Sequence, residues 1–411
     1  MPMLLDEEYE YKLPIMHKVR QVFRRETISD VERVVRTELS KEEIAGKVKP
    51  GMKVAVAVGS RGIKNLFKIV STTIAFLKEQ GAEPFIVSAM GSHGGGNEAG
   101  QREVLAGYGI TEEKLGVPVV TTVDVMKLGE TDKHIPVYFD RAAGEADLIV
   151  PINRIKLHTD FVGPLQSGLC KMLVIGLGNQ KGCSAIHEED PDFFAETIEA
   201  AARIILEKTR VGFGVAVMEN AYDETTHIEA IPRECFVERE KELVKRTREN
   251  MPCIQIDDAD VIVVEEIGKN VSGAGFDPNI LGRSSVLKTY VLHIPRFQKM
   301  VLLDLTEESH GNAIGIGAFD VVTKNVFEKM DMESTYANSI ACKCVDDVKI
   351  PLIARDEDEA VRVALKACRN IDREHARIIK IKNTLELEFI SVSEALLDEV
   401  EKNPNLILES D

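Results

Sequence analysis

The chain has 411 residues, of which 44% are hydrophobic and 29% are charged, so composition indicates a soluble globular protein of two or three domains. A formal charge of −17 argues against a nucleic-acid-binding protein, whose phosphate contacts require a basic surface, and no apolar run reaches membrane-spanning length. Because the acidic N-terminus does not resemble a signal peptide and the seven cysteines are scattered, we expect reduced thiols and a cytoplasmic location.

Apolar strands alternate with amphipathic helices along the first half of the chain. The pattern predicts strands near residues 53–58, 84–90, 147–153 and 211–219, with helices over 66–81, 97–109 and 190–209 between them. Such alternation is typical of α/β domains. We therefore predict two α/β domains, the first with a largely parallel Rossmann-like sheet, and an active site in the cleft between them.

Breaks in this pattern give the expected domain boundaries. We predict an N-terminal domain over residues 1–252, a smaller C-terminal α/β domain over 253–390, and a C-terminal helix within 391–411 that docks on the first domain. The charged stretch over residues 234–250 is interpreted as a solvated helix.

Three polar side chains follow predicted strands directly, namely Arg61, His93 and His158. Ligand sites form at the carboxyl ends of the strands in parallel sheets, so all three fall on the expected edge. Each also has a simpler interpretation. Arg61 can be a surface arginine, and His93, which three glycines follow, can be a turn histidine bonded to a carbonyl.

The segment "KLHTDFVGPLQSGLCKMLVIGLGNQKGCSAIH" spans Lys156 to His187 and concentrates the polar candidates. Lys171 is a candidate nucleophile or covalent anchor, against a snorkelling lysine as the alternative. His187 is a candidate metal ligand, against a residue that only flanks the next helix. Gly176 and Gly178 indicate a loop whose backbone N–H groups approach a phosphate, although the dinucleotide fingerprint is incomplete. Asn153 and its basic neighbours suggest substrate contacts.

The second domain contributes one candidate loop, "SGAGFDPNILGR", which runs from Ser272 to Arg283. Loops of this kind often close over substrate in two-domain enzymes, and Arg283 would then supply a cation for an anionic ligand. An ordinary connection between two elements is the alternative.

Five of these polar residues occur in an order and at intervals that resemble those of the nickel-dependent lactate racemase family, namely Arg61, His93, His158, Lys171 and His187. The enzymes of that family use a nickel-pincer nucleotide. The resemblance implies that Lys171 binds this cofactor covalently and that His187 is the protein ligand to nickel. It also implies that His93 and His158 are the acid/base pair and that Arg61 contacts substrate. The cofactor is nickel pyridinium-3,5-bisthiocarboxylic acid mononucleotide, and the glycines after Lys171 would accommodate its phosphate.

The implied reaction is racemisation or epimerisation at C2 of a small anionic 2-hydroxy acid by hydride transfer. The implied partners are the enzymes that synthesise the cofactor, and no nucleic acid or membrane is expected. The chain departs from the lactate racemases in lacking tryptophan and in having Arg283 near the position of a lysine. These departures concern the substrate pocket, so a larger substrate such as a sugar acid is as well supported as lactate.

Two other functions fit the same residues. The first is a zinc hydrolase whose metal is held by His93, His158 and His187, because three histidines can hold catalytic zinc. The second is a non-catalytic protein that binds an anionic ligand between Arg61 and Arg283. The sequence does not define the oligomeric state.

Overall fold

The computed structural model describes residues 3–60, 62–287 and 295–409. The chain forms two compact units, which we call the larger unit (Arg24–Met251) and the composite unit (Met1–Phe23 with Pro252–Asp411). Both chain ends differ from the boundaries expected from the sequence. We expected residues 1–23 to belong to the first domain and the C-terminal tail to dock on that domain. Both segments instead belong to the composite unit.

The strands have the following bounds: β1 (Met16–Gln21), β2 (Lys53–Val58), β3 (Glu83–Ser88), β4 (Val119–Val120), β5 (Val125–Glu130), β6 (Pro136–Asp140), β7 (Leu148–Arg154), β8 (Phe213–Glu219), β9 (Thr225–Pro232), β10 (Val261–Ile267), β11 (Lys299–Leu305), β12 (Val321–Thr323), β13 (Leu352–Ala354), β14 (Ile378–Ile381), β15 (Phe389–Ser393) and β16 (Leu406–Leu408).

The α-helices have these bounds: α1 (Val31–Leu39), α2 (Glu42–Ala45), α3 (Leu66–Glu79), α4 (Glu98–Gly107), α5 (Glu112–Leu115), α6 (Arg141–Glu145), α7 (Leu169–Lys171), α8 (Asn179–Ile186), α9 (Phe194–Lys208), α10 (Phe236–Asn250), α11 (Pro278–Leu281), α12 (Lys324–Lys329), α13 (Met332–Ala341), α14 (Glu357–Ala367) and α15 (Leu397–Lys402). A π-helical turn, Met172–Gly176, directly follows α7. Within the described residues, no helix is long and apolar enough to cross a bilayer.

The larger unit is built on a six-stranded sheet in the order β4-β3-β2-β7-β8-β9. All neighbouring strands are parallel except β8 and β9, which form an antiparallel pair. Successive side chains of β2 enter opposite cores: Ala55 and Ala57 pack in one, and Val54, Val56 and Val58 in the other. The continuous apolar run of β2 fits a strand that is buried on both faces, as in parallel sheets covered by helices. The predicted Rossmann-like parallel sheet is confirmed.

The composite unit has an eight-stranded sheet in the order β13-β12-β11-β10-β14-β15-β1-β16. Its first five strands are parallel to one another, and the last three pair antiparallel. Strand β1 lies between β15 and β16, and Val19 pairs with both Ile390 and Leu408. These ladders hold the N-terminal segment and the C-terminal tail within the same sheet.

Helix α10 occupies the charged stretch that was interpreted as a solvated helix. One face is charged and exposed, but the other buries a stripe that repeats every three or four residues and consists of Phe236, Val237, Glu240, Leu243, Val244 and Thr247. The helix therefore packs on the core of the larger unit, and one glutamate is buried with the apolar residues.

Candidate active site

The carboxyl ends of three adjacent strands position the first part of the site. Strands β3, β2 and β7 are parallel neighbours, so the loops that follow them emerge at one edge of the sheet. Ser60 follows β2 and His93 follows β3, and the Ser60 hydroxyl forms a hydrogen bond with Nδ1 of His93. Tyr108 holds this turn by donating to the backbone oxygen of Ser60 at 2.8 Å. This contact orients the ring of His93, which is exposed.

His158 lies in the loop after β7 and is held by its own backbone and by its ring. The backbone N–H of His158 donates to Oε1 of Gln166 at 2.7 Å, and Gln166 is almost completely buried. The N–H of Asp160 donates to Nδ1 of the His158 ring at 3.0 Å. Because Nδ1 accepts, a neutral His158 carries its proton on Nε2.

Lys171 ends α7 and points its amine at that second ring nitrogen. Its Nζ lies 2.5 Å from Nε2 of His158. The contact thus places an amine, which is a nucleophile in its unprotonated form, beside an imidazole.

His187 directly follows α8 and shows the hydrogen-bonding pattern of a metal ligand. Its Nδ1 lies 2.7 Å from the carbonyl oxygen of Cys183 and 3.5 Å from the Cys183 sulfur. Donation from Nδ1 to the carbonyl leaves the electron pair on Nε2, as in many metal-bound histidines. Burial lowers the pKa of His187, but its interactions with Cys183 raise it by more, so the net pKa is raised.

Aromatic contacts bring His158 and His187 into one neighbourhood. The His158 ring stacks on Phe161 with centroids 4.3 Å apart, Phe161 lies 5.4 Å from Phe194, and Phe194 meets the edge of His187 at 5.1 Å. Lys171 Nζ lies 5.9 Å from the Phe161 centroid. The structure therefore assembles His158, Lys171 and His187 around two phenylalanines, and it places His93 with Ser60 in the loops after the adjacent strands β2 and β3.

A zinc site made of three histidines is not supported. Across residues 3–60, 62–287 and 295–409, no group of three or more histidine, cysteine or acidic side chains is arranged to hold a metal ion. An imidazole at His187 and an amine at Lys171 are chemically suited to a cofactor that carries a metal and is attached through a lysine.

Gly176 and Gly178 differ from the expected phosphate-binding loop. Both are buried in the helical segment that runs from α7 through the π-helical turn to α8. A Cβ on Gly176 would lie 2.8 Å from the backbone oxygen of Ala89, and one on Gly178 would lie 2.4 Å from that of Val174. These glycines permit close backbone packing, and Gly176 joins the segment to the loop after β3 because its carbonyl accepts the N–H of Gly91 at 3.0 Å.

The three residues proposed to contact substrate have different positions. Arg61 lies outside the described residues. The side-chain amide of Asn153 donates to the carbonyl of Gly168 at 2.8 Å, so it supports the backbone that leads to Lys171. Arg283, in the composite unit, forms an ion pair with Asp320 at 2.6 Å and lowers the pKa of that carboxyl group against the opposing effect of burial. Much of the charge of Arg283 is therefore already balanced.

Sequence reasoning missed Ser60, Gln166 and Glu240. Serine and glutamine in loops are too common to be informative by themselves. Glu240 did leave a signal, because it falls four residues from both Phe236 and Val244 on the apolar stripe of α10. The structure shows its carboxyl group accepting the backbone N–H of Cys170 at 2.9 Å, one residue before Lys171.

Known proteins share this fold and domain. Residues 6–194 match the family model of the lactate racemase N-terminal domain. The chain is similar to the structure of the lactate racemase apoprotein from Thermoanaerobacterium thermosaccharolyticum, with a TM-score of 0.55 and 13% identity over 90% of this chain and 94% of that one. It also resembles a crystal structure of a protein from Thermotoga maritima, with a TM-score of 0.49 and 15% identity over 84% of this chain and 92% of that one. A search of curated proteins gave no match.

The parallel sheet with a histidine–lysine site at its carboxyl edge defines an α/β protein with the features of an enzyme. Residues 6–194 match the lactate racemase N-terminal domain, and the chain has the fold of a lactate racemase apoprotein, so both findings support the resemblance read from the sequence. The match to this domain supports an isomerase of the racemase or epimerase type.

Proposed function

We propose that this protein inverts C2 of a 2-hydroxy acid with a nickel-pincer nucleotide that is attached to Lys171 and whose nickel is bound by His187. The observation that carries the proposal is the contact between Lys171 Nζ and His158 Nε2, at 2.5 Å. It joins a lysine amine to a histidine suited to proton transfer, and His187 lies across the same pair of phenylalanines.

Hydride chemistry suits this substrate class. Removing the α-proton of a 2-hydroxy acid would leave a carbanion beside a carboxylate, whereas removing hydride leaves a neutral 2-keto group. When bound, the cofactor accepts the C2 hydride and returns it. The protein then has to hold the carboxylate, move one proton to and from the substrate hydroxyl, and exclude water.

His93 and His158 divide the proton transfer. In each ring a hydrogen bond at Nδ1, with the Ser60 hydroxyl or with the Asp160 N–H, fixes the orientation of the imidazole. One imidazole takes the hydroxyl proton as hydride leaves C2, and the other returns a proton as hydride adds to the opposite face. Attachment of the cofactor through Lys171 would convert its amine to an amide-type nitrogen, and His158 Nε2 would then no longer face a basic amine.

The proposed substrate is a small anionic 2-hydroxy acid, with Arg61 as its carboxylate partner. The absence of tryptophan in the chain makes a sugar acid as well supported as lactate. Enzymes that synthesise the pincer nucleotide would be the required partners, and we propose that the protein works in the cytoplasm.

Attachment of the cofactor is tested in protein produced together with the cofactor-synthesis enzymes. Mass spectrometry of the Lys171 peptide should show the nucleotide adduct, and the purified protein should contain nickel. Lys171→Ala should lose both, whereas Lys181→Ala should keep both, because Lys181 is an exposed lysine of the same helical segment. Loaded protein without an adduct on Lys171 would refute the proposal.

The reaction is tested with 2-hydroxy acids, including aldonates, that carry deuterium at C2. Chiral chromatography reports inversion, and mass spectrometry reports the fate of the label. Hydride return keeps deuterium at C2 of the inverted product, whereas proton abstraction exchanges it with water. Inversion with complete loss of deuterium would exclude the hydride mechanism even if the cofactor is attached.

A further inference from the structure

Glu240 is a buried carboxyl group that the proposed reaction does not use. Its side chain is completely buried on the apolar stripe of α10, and Oε2 accepts the backbone N–H of Cys170 at 2.9 Å. Within the described part of the chain, Oε1 has no hydrogen-bond partner of good geometry, although the Leu169 N–H and the Cys170 thiol also act on this carboxyl group and lower its pKa. Burial raises the pKa of Glu240 to about 7. An apolar side chain would fill this position without the cost of burying a carboxyl group, so the carboxyl group requires an explanation.

The backbone before Lys171 is shaped around this carboxyl group. A Cβ on Gly168 would lie 2.3 Å from Oε1 of Glu240, so a larger residue here would force the glutamate side chain to move. On the other side, Asn153 donates to the carbonyl of Gly168 at 2.8 Å. The turn that starts α7 is therefore held by Asn153 from the end of β7 and by Glu240 from α10.

We propose that Glu240 is a positioning residue for Lys171, which fixes the N–H of Cys170 so that the lysine amine is directed at His158 Nε2. Lys171 follows Cys170 directly, so a shift of this backbone moves Nζ away from the 2.5 Å contact with the ring. The bearing of this role on cofactor attachment rests on the proposed function. The aiming of the amine does not, and it is measured in protein without cofactor.

The experiment compares acetylation of Lys171 with that of Lys181 in the same molecule. Trace amounts of acetic anhydride are added, and mass spectrometry gives the ratio of the two rates. The unprotonated amine is the reactive form, so in the wild type Lys171 should react faster than the exposed Lys181. Glu240→Leu removes the acceptor and should lower the ratio by up to about tenfold, the upper end of what one hydrogen bond contributes. Glu240→Gln keeps an acceptor oxygen and should retain the wild-type ratio.

Glu238→Gln is the matched control, because it makes the same change on the exposed face of α10. Amide hydrogen exchange at Cys170 should be faster in the leucine variant than in the wild type, which would show that the hydrogen bond is lost. If that variant does not fold, Glu240→Asp withdraws the acceptor by one methylene and should lower the ratio in the same direction. Faster exchange at Cys170 with an unchanged ratio would overturn the inference, as would an equal loss in the glutamine and leucine variants.

The two proposals fail separately. A missing adduct on Lys171 in cofactor-loaded wild-type protein refutes the proposed function and leaves the acetylation ratios unaffected. An unchanged ratio in the cofactor-free Glu240 variants refutes the positioning role and leaves the attachment of the cofactor unaffected.

Discussion

The stability of the larger unit should depend on pH through Glu240. In the folded protein burial raises its pKa from 4.5 to about 7. Between these values the native carboxyl group keeps a proton that the unfolded chain has lost. The native state is thus favoured below pH 4.5, and this contribution is lost as pH rises to about 7. At 1.36 kcal/mol per pH unit, the loss is about 3 kcal/mol.

Glu240→Gln isolates this contribution because glutamine has no proton to lose. The free energy of unfolding of the variant minus that of the wild type should rise by about 3 kcal/mol between pH 4.5 and pH 8. Other titrating groups cancel in the difference. The protein has two units and no tryptophan, so urea unfolding is best followed by pulse proteolysis, with mass spectrometry to identify fragments of the larger unit.

The matched variant is Glu238→Gln, at an exposed position of the same helix, whose difference from the wild type should stay flat over the same pH range. A flat profile for Glu240→Gln would show that the folded protein does not raise the pKa of this group. In that case the burial argument for Glu240 would be wrong.

Asp140 is also completely buried, and burial raises its pKa from 3.8 to about 6. The free energy of unfolding of Asp140→Asn minus that of the wild type should therefore rise by about 3 kcal/mol between pH 3.8 and pH 6. Urea titrations at several pH values would detect this, and a difference that falls with pH would contradict it. Gly176→Ala should destabilise the protein by about 1–3 kcal/mol, because its Cβ would lie 2.8 Å from a backbone oxygen. Thermal melts should show no such loss for Gly107→Ala, whose Cβ meets nothing within 4 Å. His187→Ala should lose nickel but keep the nucleotide on Lys171, as metal analysis and peptide mass spectrometry would show. If the variant kept stoichiometric nickel, His187 would not be the nickel ligand.

The parallel sheet of the larger unit could be predicted from the sequence because its determinants are local. Each strand is a short apolar run followed by a helix, and chain order alone then places Ser60, His93 and His158 after β2, β3 and β7. The pairing of β1 with β15 and β16 could not be predicted, since nothing in "MHKVRQ" indicates partners almost 400 residues away.

Within the candidate site, the sequence indicated the individual residues better than their contacts. The order of His158, Lys171 and His187 carried the family resemblance, but the amine-to-ring contact depends on how the loop after β7 folds back. The packing role of Gly176 could not be predicted, because glycines that allow close packing and glycines that contact phosphate are alike in sequence. Glu240 was overlooked because overall charge was weighed above helical periodicity.

The position of β1 has a consequence for how the protein is made. This strand leaves the ribosome long before both of its neighbours, β15 and β16. Residues 24–251 can complete their own sheet during synthesis, whereas β1 has no partner in its sheet until β15 and β16 have been made. A nascent chain halted near residue 300 should therefore have a protease-resistant larger unit and an N-terminal segment that is still open to cleavage.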